Sequence, residues 1–168
     1  MWTRPHVRGW PGWLLLALLC IITSSHAQTR VELSGGRVYE GTLHEGEPYG
    51  PGKMAYPNGT YYEGEFVNGY REGRGKAVFF DGIRYDGEWR NDIPHGRGVM
   101  EWPTGERYEG ELVDNTRSGR GIMSFPDGRR YVGQWRDDAM HGTGVLTLPN
   151  GERYEGLFVN GEWRSPSP

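Results

Sequence analysis

The 168-residue chain carries 19 Lys and Arg against 22 Asp and Glu, a net charge of -3, and its mean hydropathy is -0.74. A mildly acidic, evenly mixed balance excludes a nucleic-acid binder with a basic face and leaves no polybasic segment for anionic lipid. Low hydropathy alone would point to disorder, but 13% aromatic residues and 28 glycines, both periodic, point to a thin ordered structure instead.

The first 27 residues stand apart. Arg4 and Arg8 give a positive start, Leu14 to Ile22 is an apolar run of nine, and Ser25-His26-Ala27 places small residues where a signal peptidase reads. This is the pattern of a signal peptide cleaved after Ala27, with a helical apolar region. Nine residues of helix span only about 14 Å against about 30 Å of hydrocarbon, which disfavours a retained anchor. Cys20 is preceded by Leu19 rather than a small residue, which disfavours lipidation. The expected location is therefore outside the cytoplasm: periplasmic in a bacterium, secreted otherwise. Cleavage would leave no cysteine, hence no disulfide or thiol chemistry.

Residues 28–36 read as a lead-in, with Ser34-Gly35-Gly36 as a degenerate turn. From residue 37 to 163 one unit recurs: Tyr39, Tyr62, Tyr85, Tyr108, Tyr131 and Tyr154 lie 23 residues apart. A glycine follows each two residues later, Gly-x-Gly pairs recur in the same step (Gly73/Gly75, Gly96/Gly98, Gly119/Gly121), and so do turns such as Pro103-Thr104-Gly105. A fixed period without insertions is the mark of a repeat array. Each unit holds two runs of alternating character, as in Tyr61 to Phe66 and Gly98 to Trp102. A polar loop (Val67 to Glu72 in one unit) and an Asn-Gly or Asp-Gly turn separate them, so each unit reads as an antiparallel hairpin. Dense Gly and recurring Pro exclude core helices. The expected fold is all-β: a single-layer, elongated ribbon of stacked hairpins, five full units and a partial sixth, on the order of 50 Å long, with a tail over 164–168.

On these residues the chain resembles the MORN (membrane occupation and recognition nexus) repeat family. YEGEFVNG at Tyr62 to Gly69, HGRG at His95 to Gly98 and PDG at Pro126 to Gly128 carry the likeness. Phe80 in place of a turn proline, Leu43 and Leu112 in place of an aromatic, and Val132 and Leu157 in the acidic column depart from it. The resemblance implies a curved β-hairpin ribbon with an aromatic groove and a protein-binding or scaffolding role.

Side-chain alternation places the repeated rings on one face and Glu63, Glu65, Asp86, Glu109 and their equivalents on the other. The acidic pairs recur without a distinct pocket, so they read as a solvated face balanced by Arg74, Lys76, Arg97 and Arg120 rather than as glycosidase acids. His95 and His141 lie two units apart and cannot share a metal ion; no serine or cysteine context supplies a nucleophile. Asn58-Gly59-Thr60 is a glycosylation sequon that doubles as the recurring turn. No catalytic residue, metal or cofactor is expected. A single-layer sheet has nothing to cover its apolar face, so the expected site is an exposed aromatic groove lined by Tyr62, Phe66, Tyr85, Trp89, Trp102, Tyr108, Phe125, Tyr131 and Trp135. Its expected occupant is a helix or extended segment of another protein; an envelope glycan or a lipid surface is the alternative. Open terminal strands make a homodimer a further expectation.

Overall fold

The computed structural model describes residues 29–165; the expected leader and its cleavage site lie outside them. Thirteen strands form one antiparallel sheet in which each pairs with its neighbours in sequence. They are β1 (Thr29–Leu33), β2 (Arg37–His44), β3 (Glu47–Ala55), β4 (Tyr61–Val67), β5 (Tyr70–Val78), β6 (Arg84–Arg90) and β7 (Ile93–Glu101). The series continues with β8 (Arg107–Val113), β9 (Thr116–Ser124), β10 (Arg130–Arg136), β11 (Ala139–Thr147), β12 (Arg153–Val159) and β13 (Glu162–Arg164). Apart from the three-residue 3-10 turn Ser34–Gly36, the described residues hold no helix. The ribbon of stacked hairpins is thus as expected.

The loop expected over Val67 to Glu72 is shorter than its polarity indicates. Only Asn68 and Gly69 turn, both with positive φ (48° and 82°), and Tyr70 already belongs to β5. The extra length is taken up by a bulge: register shifts between Gly64 and Glu65, and Gly73 turns left-handed at φ 63°. The first glycine of each Gly-x-Gly therefore supplies a left-handed residue that an L side chain adopts only under strain.

The second glycine has a different task. Gly41, Gly52, Gly64, Gly75, Gly87 and Gly98 are successive cross-strand partners, and the row continues through Gly110, Gly121, Gly133 and Gly144 to Gly156. Tyr39, Tyr62, Tyr85, Tyr108 and Tyr131 lie flat over this glycine spine, and a Cβ on Gly64 or Gly75 would collide with the Tyr62 ring. The hydroxyl then donates to the carbonyl at the bulge: Tyr62 to Glu65 (3.0 Å), Tyr85 to Glu88 (2.8 Å), Tyr108 to Glu111 (2.8 Å) and Tyr131 to Gln134 (2.9 Å). One residue type thus fills apolar volume and satisfies a carbonyl that the bulge frees from the ladder.

Hairpins are also tied tip to tip. The second turn residue of one donates its N–H to a carbonyl in the preceding one, as Asp92 to Arg71 (3.0 Å), Asn115 to Pro94 (2.8 Å) and Asp138 to Arg117 (3.2 Å).

Candidate functional site

The expected groove residues do share one face, but they are not its surface. Tyr62, Phe66, Tyr108 and Tyr131 are 0% exposed, Tyr85 1%, Trp89 3% and Trp135 6%. The expectation of an open aromatic groove lined by these seven is corrected: they are the core. Burial within a single layer has four physical causes. The glycine spine lets each tyrosine sink against the backbone. The ring of the next unit then meets it edge-on, Tyr62 with Trp89 at 5.1 Å and Tyr131 with Phe158 at 5.0 Å. Met54, Met100 and Met123, cross-strand partners of the tyrosines, fill the remaining gaps.

The fourth cause was not foreseen. Arg71 and Arg117 lie on the aromatic face as covers. The Arg71 guanidinium stands 4.3 Å from the Trp89 ring centroid, and that of Arg117 stands 4.7 Å from Trp135. Each is held by an aspartate of the next hairpin tip: Arg71 Nε donates to Asp92 Oδ1 at 2.9 Å, and Arg117 Nε to Asp138 Oδ1 at 2.8 Å. A second nitrogen of each reaches the same aspartate's carbonyl, at 2.8 and 3.0 Å. Such a fork over an aromatic ring fits Arg and not Lys. The sequence signal is a trio, Arg71-Trp89-Asp92, repeated two units later as Arg117-Trp135-Asp138, where the other units place Pro48, Pro94 and Met140 at the arginine position. Burial raises the tyrosine pKa values: that of Tyr131 is pushed up to about 12, and those of Tyr62, Tyr85 and Tyr108 move the same way, desolvation leading in each.

What stays accessible on this face is its turn-side margin. Trp102 and Phe125 are half-buried, as are Tyr56 and Phe79, and all four pack against the core from outside. Pro57, Pro103 and Pro126 at the adjoining turns are exposed, and so is Phe80, at 71%.

On the opposite face most acidic residues have structural partners. Glu63 pairs with Lys53 (3.4 Å), Asp86 with Lys76 (2.9 Å) and Glu109 with Arg107 (2.8 Å). Glu88 and Glu111 accept from the N–H of Arg97 (3.1 Å) and Arg120 (3.2 Å). The expectation that Arg74, Arg97 and Arg120 balance this face is corrected in turn. Their exposed guanidinium groups have no ion-pair or hydrogen-bond partner among the described residues, because the facing carboxylates serve the backbone at the bulges. These arginines border an open groove of about 780 Å³ that spans β5 to β11 and includes Val99, Ile122 and Val132 in its floor.

The histidines are separate. His95 Nδ1 accepts from the Asp114 N–H at 3.3 Å, and the described residues contain no group of three metal-ligating side chains. Asn58 Oδ1 accepts from the Thr60 N–H at 3.0 Å, as Asp127 does from Arg129 and Asn150 from Glu152, so the sequon's asparagine serves its turn. No helix among the described residues is long and apolar enough to cross a membrane.

A chain with this ribbon and this spine is a β-hairpin repeat array. A sequence model of the MORN repeat matches residues 39–61, 62–84, 85–107, 108–129 and 131–153, and the chain belongs to the MORN repeat family. A comparison with curated proteins gives no significant match. Among solved structures the chain is similar to the TCP domain of SAS-4 (dCPAP) of Drosophila melanogaster, solved in complex with a proline-rich motif of Ana2 (dSTIL). The identity is 15%, covering 92% of this chain and 99% of that one, with a TM-score of 0.34. It is also similar to the TCP10 domain of Danio rerio CPAP in complex with a peptide of STIL, at 16% identity, 75% and 57% coverage and a TM-score of 0.29. Neither TM-score reaches 0.5, so family membership rests on the repeat.

Proposed function

We propose that the protein is a non-catalytic binding module whose ribbon presents an aromatic margin to a helix or extended segment of another protein. The observation that carries this reading is the strip of half-buried Tyr56, Phe79, Trp102 and Phe125, flanked by exposed turn prolines. Aromatic side chains are enriched at interfaces, and Trp and Tyr, here Trp102 and Tyr56, are the residue types that most often dominate their binding energy. The buried tyrosines hold the strip in place and do not touch the partner. The same proposal sets the module outside the cytoplasm, with the leader removed after Ala27, which N-terminal sequencing of the processed protein tests.

The experiment is quantitative crosslinking capture of partners from the native compartment, comparing wild type with a Trp102→Ala/Phe125→Ala variant of unchanged β-sheet circular dichroism. Loss of one partner set at least tenfold is expected; full retention of every partner refutes the strip. Glycan and lipid binding compete for the same strip, and quenching of tryptophan fluorescence by envelope glycans or by liposomes without any protein capture would favour them. Monomeric mass by light scattering at high concentration would remove the homodimer through β1 or β13.

A further inference from the structure

The charged face changes character midway along the ribbon. At one cross-strand row, β3 to β6 carry the ion pairs Lys53–Glu63 and Lys76–Asp86. From β7 to β11 that same row reads Val99, Glu109, Ile122, Val132, Val145 on successive paired strands, and it returns to an acid at Glu155 on β12. A face selected only for solubility would keep its ion pairs. Instead apolar side chains enter the solvent-facing row, Val132 standing 38% exposed. The row two residues away carries Arg97 and Arg120, free of partners among the described residues.

We propose that this groove docks an acidic amphipathic helix of another protein, its apolar stripe on Val99, Ile122, Val132 and Val145 and its carboxylates on Arg97 and Arg120. The inference rests on the reading of the ribbon as a binding module but uses the opposite face. Three observations select this occupant. Arg97 and Arg120 lie two strands apart, about 10 Å, which matches one heptad of helix at about 1.5 Å per residue. The apolar side chains recur one or two strands apart, about 5 or 10 Å, near the rise from i to i+3 or i+4 and from i to i+7 on a helix. The acids already in the groove are engaged, Glu109 by Arg107 and Glu111 by the Arg120 N–H, which leaves the guanidinium groups as the unmet charge. Rotation of about 20–25° per strand carries the row off a straight line within a few strands, so the docked helix has about three to four turns.

The test uses the full chain and a synthetic helical peptide of about four turns. Leucines occupy heptad positions a and d, with glutamates one heptad apart beside them, and a control peptide carries lysines in their place. Fluorescence anisotropy should show the glutamate peptide binding at least tenfold more tightly than the control, and Arg97→Glu/Arg120→Glu should reverse that preference. Ile122→Lys should abolish binding of the glutamate peptide. Equal affinity for the two peptides, no binding, or an unchanged preference in the Arg97→Glu/Arg120→Glu variant overturns the inference. Loss of the peptide from the Trp102→Ala/Phe125→Ala variant also overturns it, by placing the helix on the aromatic strip, and leaves the binding-module reading standing.

Discussion

At Gly98 the missing side chain is what the fold uses, because the Tyr85 ring occupies the volume its Cβ would fill. Gly98→Ala should therefore cost about 3 kcal/mol in urea denaturation, as overpacking does in a filled core. Gly151 has φ 85° with open space around it, so Gly151→Ala should cost only the backbone strain, about 1–2 kcal/mol. Equal penalties would contradict the spine. The tyrosines predict a pH dependence. Below pH about 10 both folded and unfolded chains hold the phenol proton and stability is fully present. Above it the unfolded chain ionises first, since Tyr131 in the fold titrates only at about 12 against an ordinary value of 10.0. Stability should fall across that window, which urea midpoints measured between pH 8 and 12 check; a flat profile refutes it. That each tyrosine shares a face with its glycine was legible, because strand alternation is a rule of period two. Its burial was not, since it depends on a ring folding over the backbone at a bulge, and alternation says nothing of bulges.

At the scale of the hairpin, the arginine covers tie one tip to the next. Arg117 combines a fork on Asp138 with a stack on Trp135, and both need a planar guanidinium. Arg117→Lys should cost about 1–2 kcal/mol, and Arg117→Ala more through lost packing. Wild-type stability in Arg117→Lys, read by chemical denaturation, would show that the fork contributes nothing. In sequence this arginine reads as one more charge in a polar loop. Its place became clear only when β5 and β9 proved to begin right after two-residue turns, which swings Arg71 and Arg117 onto the aromatic face. The period-two rule also set Val99 and Ile122 on the charged face, yet their apolar character there signals nothing until the register lines them up with Val132 and Val145.

Over the whole molecule the array is quasi-one-dimensional, since each strand pairs only with its neighbours in sequence. In-frame deletion of residues 85–107 removes one unit and joins Arg84 to Tyr108, preserving tyrosine-to-glycine register. The shortened chain should fold to the same sheet with a lower unfolding midpoint, because stability in such arrays sums over neighbouring units. An unfolded product, by circular dichroism, would mean that the units depend on contacts beyond their neighbours. The same linearity argues for binding over catalysis: repeated units give periodic surfaces, and an active site needs an asymmetric cluster. It also separates the core tyrosines from the accessible strip, and the central claim turns on that separation. The most direct measurement places a photo-crosslinking amino acid singly at Trp102 and, for comparison, at exposed Glu152 in the far turn, and maps adducts formed in the native compartment. A defined protein adduct is expected at position 102 and none at 152; adducts at neither position, or the same adducts at both, refute the strip as the binding surface.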